Sequence, residues 1–340
     1  MPVRPLPSPL RRMACVMAIC AGLSAGTGPV MAAPPGTGPA IAAQASSSEV
    51  EFHGLAMAFV RFWDDTKHLP MSQRLARFKS DVASRFPGFY DAERFGSRVT
   101  QAQIDERIGE QMLAFPEIRE AFVAKALKLE QQLGAHQQAF RQAFPKADFR
   151  GMKVYALHSM GEMDGGTRSF AGPRTLILGV DGMVRYHGES NDESAFFHHE
   201  LFHIIHQADL GPCAAVWCAL WREGLAVHVS KELNPSANAS EMLLDFPKGL
   251  LTDVEKVRQA SLDDLSRRLD SEDEDVYRNL FQTKSDDQRL PVRRGYVLGW
   301  WIARHLGQAH SLQEMAEWDG PTVRRRVGEA LATLRAQAAR

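Results

Sequence analysis

The sequence predicts an α+β fold that is mainly helical, with short strands ahead of a central histidine-rich helix and a helical C-terminal part. Three observations point there. Apolar residues recur at helical spacing from Val50 to about Pro145, opening with Phe52, Leu55, Ala56, Phe59 and Phe62. Two short runs rich in Val, Leu and Ile, Lys153–Leu157 and Thr175–Val180, are bounded by Gly, Asp and Pro, as strands are. After Trp221 the helical texture returns and holds to the end, and strands segregated from helices in this way make an α+β arrangement.

Taken in order, residues 1–32 read as a signal peptide. Arg4, Arg11 and Arg12 supply the positive region, Met13–Ala25 the apolar stretch, and Val30-Met31-Ala32 or Met31-Ala32-Ala33 a small-residue cleavage site. This predicts a periplasmic or secreted protein. Residues 33–49 are small, Pro-rich and almost uncharged, which suits a disordered linker. Residues 50–148 form an N-terminal helical region, with Ser72 and Thr100 as N-caps and Pro70, Pro87 and Pro116 as punctuation. His53, His68 and His136 lie there without ligand-like spacing and read as surface or packing residues. In residues 149–340, the segment GEMDGGTR (161–168) reads as a glycine-rich loop without the order of a phosphate-binding loop. Asp181-Gly182 reads as a turn before Met183–Tyr186. Helices are expected near 220–231, 251–269, 272–282, 292–306, 311–317 and 321–338.

Composition excludes some partners. The formal net charge is −1, so no basic surplus points to nucleic acid. No long apolar run follows the signal, so no transmembrane segment is expected once it is removed.

The stretch Phe196–His206 carries the chemistry. It contains His199-Glu200-x-x-His203, and with 12 histidines in 340 residues a chance match to this spacing is rare. Four residues make about one helical turn, so both imidazoles can aim at one Zn²⁺. Glu200 lies beside the ligand face and suits a general base acting on water. Asn191 and Asp192 are N-cap candidates, Asp192 and Glu193 suit the positive helix end, and Gly211-Pro212 is a stop signal. The helix is apolar nearly all round, so it should be buried, and buried ionisable groups need a partner such as a metal. His206 is seven residues from His199, too far along the axis to share the ion, and reads as cleft-lining or packing. His198 points off the ligand face, and His228 reads equally as cleft, solvent or core.

Four cysteines are present. Cys15 and Cys20 would leave with the signal. Cys213 and Cys218, five apart in a loop, are expected to form a disulfide in an oxidising compartment.

A zinc site built on two histidines needs a third protein ligand. Trp221-Arg222-Glu223-Gly224-Leu225-Ala226 offers Glu223, twenty residues after His203. Asp209, six after His203, is the rival. It would need the helix to break at His206, whereas Glu223 would arrive on a separate helix flanked by small residues. Here the sequence resembles the gluzincin metallopeptidases, in which HExxH is completed by a Glu on a following helix. The W-x-E-G-L-A setting, with Gly295-Tyr296-Val297-Leu298-Gly299 further on, is similar to a family of uncharacterised zinc-dependent proteases. The resemblance covers about residues 153–340. It implies a zincin-like domain, Zn²⁺ as cofactor, a peptide or protein substrate and metal-assisted hydrolysis with Glu200 as base. It also offers Tyr296, at the start of an apolar helix, as an oxyanion donor or else a packed core tyrosine. Thermolysin-like members carry an acid four residues after the ligand Glu. Here that position is Val227, so another group must orient the histidines. The strand Thr175–Val180 is expected to offer an edge to an extended peptide. Two other readings share these residues: a zinc hydrolase of non-peptide amides, and a zinc-binding protein without turnover.

Overall fold

A computed structural model describes residues 50–168, 175–187, 192–210, 213–283 and 286–340, the side chains of 168 and 207–210 excepted. The signal and linker expectations for residues 1–49 lie outside the described residues. The described residues are mainly helical, 65% of them, with one small mixed sheet of four strands, in keeping with an α+β fold. Among the described residues no helix is long and apolar enough to cross a membrane.

The sheet has the order β1-β2-β4-β3, with β1 at Glu51–Gly54, β2 at Lys153–Leu157, β3 at Gly165–Arg168 and β4 at Thr175–Gly179. β1, β2 and β4 are parallel, and β3 runs antiparallel to β4 at the end of the sheet, Gly165 opposite Leu178 and Thr167 opposite Leu176. Two expectations change here. Thr175–Gly179 is an inner strand, and the edge belongs to β3, in the stretch that reads as a loop. Residues 51–54, expected to be helical, form β1 instead and pair with β2 across the expected boundary at 148/149.

Helices α1 (Leu55–Thr66), α2 (Met71–Asp81) and α3 (Gln101–Ala143) follow β1. Thr100 caps α3 in a capping box with Gln103. Ser72 does not cap α2, which starts at Met71 behind Pro70. Pro116 does not stop α3 either. Proline removes the N–H that would bond the carbonyl four residues back, and that carbonyl, on Met112, accepts instead from the Trp63 indole at 2.9 Å. Phe59, Phe78, Phe115 and Phe122 pack edge-on between these helices.

The chain from Val180 to Tyr186 is a helix, α4, rather than a turn and strand. Its buried Asp181 accepts from the Ser159 and Gly161 amides at 2.6 and 2.7 Å. Gly182 presses on the Met163 carbonyl so closely that a Cβ would lie 2.1 Å from it. Residues that signal a turn here clamp the approach to β3.

The remaining helices are α5 (Ser194–Leu210), α6 (Val216–Leu233), α7 (Leu250–Lys256), α8 (Arg258–Arg268), α9 (Glu274–Phe281), α10 (Arg294–Leu306), α11 (Leu312–Ala316) and α12 (Gly320–Ala338). The helix expected over 251–269 breaks at Val257 into α7 and α8. Two close approaches place the candidate site. A Cβ on Gly165 would sit 2.3 Å from the Phe196 ring, so the β3 edge lies directly on α5. A Cβ on Gly224 would sit 2.2 Å from the Gly299 carbonyl carbon, so α6 and α10 cross backbone to backbone.

Candidate metal centre

Helix α5 is buried as its sequence implies, with Phe197, Leu201 and Phe202 at 1% exposure or less. Asp192 Oδ1 accepts from the Ser194 amide at 3.0 Å at its start. Asn191 and the Gly211-Pro212 stop lie outside the described residues. One face carries His199 and His203, whose Nε2 atoms approach to 3.0 Å with rings edge to face at 85°.

Glu223 comes in from α6. Its Oε2 lies 3.5 Å from each histidine Nε2, is buried, and makes no hydrogen bond of ordinary geometry. Among the described residues these three form the only group of His, Cys, Asp or Glu arranged to hold a metal ion. A tetrahedral ion with ligand bonds of roughly 2.0–2.1 Å has ligand atoms ~3.3 Å apart. The observed triangle of 3.0, 3.5 and 3.5 Å brackets that value, so the donor set fits Zn²⁺. The structure brings Glu223 to the histidines. Helix α5 continues through Asp209 without a break at His206.

Electrostatics agree with the geometry. Burial alone would raise the Glu223 carboxyl, but His203 and His199 hold it well below the usual carboxylate range. Burial would lower His203, and Glu223 raises it. Burial raises the Glu200 carboxyl, with the two histidines opposing and Asp164 and Glu223 adding to the rise. Tyr296, on α10, is 3% exposed, and burial followed by the negative charge of Glu223 pushes its phenol well above 10.

The other histidines separate from the centre. His198 faces away, its Nε2 3.0 Å from the His136 carbonyl and its Nδ1 2.9 Å from the Asn234 amide nitrogen. His206 packs against Phe202, with ring centroids 4.8 Å apart, and finds no hydrogen-bond partner among the described residues. Burial lowers its pKa to about 3, so it is a neutral packing residue. His228 is buried against Gly307, with Glu232 at 3.8 Å. Val227 is buried and apolar, and cannot orient a histidine. Cys213 and Cys218 are joined as a disulfide, Cα atoms 6.1 Å apart; Cys213 precedes α6, while Cys218, expected in a loop, lies in its first turn.

Several residues beside the centre escape sequence reasoning. A buried polar chain runs from Lys125 on α3 to Glu193, which sits 2.6 Å from His187 Nδ1, and on to Asp164 Oδ2, 3.4 Å from His187 Nε2. Burial would lower the His187 pKa, but hydrogen bonds to Asp164 and Glu193 raise it to about 9, so it is a cation at neutral pH. Tyr277 on α9 also feels Glu223, after burial, as a rise in its pKa. Arg293 stands just ahead of α10. These groups come from five separate stretches, and no local spacing links them.

Comparison with protein-family models, with curated proteins and with solved structures finds no match.

Proposed function

We propose that this protein is a zinc metallopeptidase of zincin-like fold that acts in the periplasm or outside the cell. The observation that carries the reading is the triangle of His199, His203 and Glu223 with the buried Glu200 carboxyl next to it. A Zn²⁺ ion held there would lower the pKa of water toward ~7 and polarise a carbonyl.

The chain's own residues would do the rest. Glu200 is placed to take a proton from the attacking water and hand it to the leaving amine, and its raised pKa suits a group that must accept and then donate. Tyr296 keeps its phenolic proton and can donate it as a hydrogen bond to the tetrahedral oxyanion. The β3 edge lies along α5, where an extended peptide can add as a further strand. A purely structural zinc site needs ligands but no general base, and the retained Glu200 favours turnover over a silent site. Metal analysis of the purified protein, paired with cleavage of a peptide library, tests the reading. One zinc per chain and a defined set of cleaved products are expected. A metal-free protein that cleaves nothing after zinc is added would overturn it.

A further inference from the structure

Two adjacent arginines open α10 and differ in their partners. Arg294 is fully buried and neutralised, its Nη2 2.6 Å from Asp264 Oδ2, with Nη1 donating to the Asn279 carbonyl at 3.0 Å. That anchor fixes the start of α10 against α8. Arg293 is 7% exposed, yet among the described residues no carboxylate lies within 4.0 Å of it. Among the described residues, the one hydrogen bond of its side chain runs from Nε to the Phe246 carbonyl at 3.1 Å. The backbone at Arg293 is left-handed, φ 59°, an uncommon setting for a residue with a side chain. The guanidinium carbon lies 4.6 Å from the Tyr296 ring centre and 5.5 Å from the Phe246 ring. Its charge reaches Asp164, just before the β3 edge, and Tyr277, both beside the metal centre.

A desolvated cation without a counter-ion is expensive to bury. Nε is satisfied and the ring contacts hold the plane, so the two terminal nitrogens are left to present the forked donor pattern that matches a carboxylate. We propose that Arg293 forms a subsite for a substrate carboxylate, the C-terminal carboxylate of a peptide or an acidic side chain. This rests on the peptidase reading and narrows its substrate class. Arg294 fixes the helix, the left-handed turn swings Arg293 out of it, and Phe246 and Tyr296 hold the guanidinium beside the candidate oxyanion donor.

The test uses the zinc-loaded full chain carrying Glu200→Gln, so that peptides bind without turnover. Three degenerate tetrapeptide pools are offered: one without Asp or Glu and with a free C-terminus, its C-terminally amidated twin, and an amidated pool with one Asp or Glu. Retention is read by equilibrium ultrafiltration and mass spectrometry. At least tenfold preference for the first or third pool over the second is expected, and which one is retained identifies the source of the carboxylate. Adding Arg293→Met should abolish the preference, and adding Arg293→Lys should restore part of it. Equal retention of the three pools, or a preference that survives Arg293→Met, overturns the subsite. The pool comparison needs no Arg293 variant, so a misfolded variant does not blunt it. Glu200-dependent cleavage of all pools alike would sink the subsite and leave the peptidase reading. Carboxylate-selective binding without any Glu200-dependent cleavage would do the reverse.

Discussion

Replacing Gly224 with Ala should weaken the metal centre although residue 224 is not one of its ligands. A Cβ at 224 would lie 2.2 Å from the Gly299 carbonyl carbon, 2.4 Å from its oxygen and 2.5 Å from its Cα. All three are backbone atoms, so no side chain can swing aside. Carbon atoms settle at about 3.5 Å or more, so α6 and α10 must separate locally by roughly 1 Å. Metal sites tolerate ligand displacements of only about 0.2 Å, and Glu223 is the neighbouring residue. Overpacking of this kind costs about 1–3 kcal/mol, from which the better helix propensity of Ala recovers at most about 1. Gly134 is the internal control, because it lies in α3 with nothing within 4 Å of a built Cβ. Gly134→Ala should be neutral or stabilising by roughly 0.5–1 kcal/mol. Thermal melts would follow stability, and a chelator-competition titration would follow zinc. We expect Gly224→Ala to melt lower and bind zinc at least about tenfold more weakly, the size of effect seen when a ligand's supporting contacts are lost. Zinc affinity equal to wild type would refute the idea that the glycine crossing sets the position of Glu223.

Three further outcomes follow from the site. Glu223→Ala should sharply weaken zinc binding while Asp209→Ala leaves it nearly intact, and the opposite order in the same titration would move the third ligand to α5. Tyr296→Phe should lower kcat by roughly 10²–10³ with KM little changed, as for loss of one oxyanion donor, whereas a normal kcat with a lower melting temperature would make Tyr296 a packing residue. The His187 pKa is raised on folding to about 9, so its contribution to stability is complete below the ordinary value of roughly 6.5 and is lost as pH rises through 9. Asp164 and Glu193 are held low, so their contributions are present above the usual carboxylate range and are lost on acidification. Urea midpoints should therefore fall between about pH 6.5 and about pH 9 in wild type and lose that fall in His187→Gln; identical profiles would show that His187 is not a buried cation.

What could be read from the sequence depended on whether the signal was local. The α5 helix announced itself, because an apolar circumference and ligand spacing both lie within seventeen residues. Glu223 was within reach because one helix, one loop and a second helix connect it to His203. β3 was hidden, since Gly-Gly-Thr-Arg has little strand propensity and becomes a strand by pairing with β4 while Gly165 lies against Phe196. β1 was hidden because four residues are too few to separate period two from the helix that follows. Asp181 and Gly182 looked like a turn because their actual partners, Ser159, Gly161 and Met163, lie about twenty residues away. The Lys125–Glu193–His187–Asp164 chain and the unpaired Arg293 are products of tertiary packing alone.

The most direct measurement takes zinc content and peptide hydrolysis together, on wild type and Glu200→Gln prepared side by side. Glu200 sits beside the ligand triangle without joining it, so the variant should keep close to one zinc per chain and lose hydrolysis by several orders of magnitude. Unchanged hydrolysis in Glu200→Gln, with zinc still bound, would contradict the central claim.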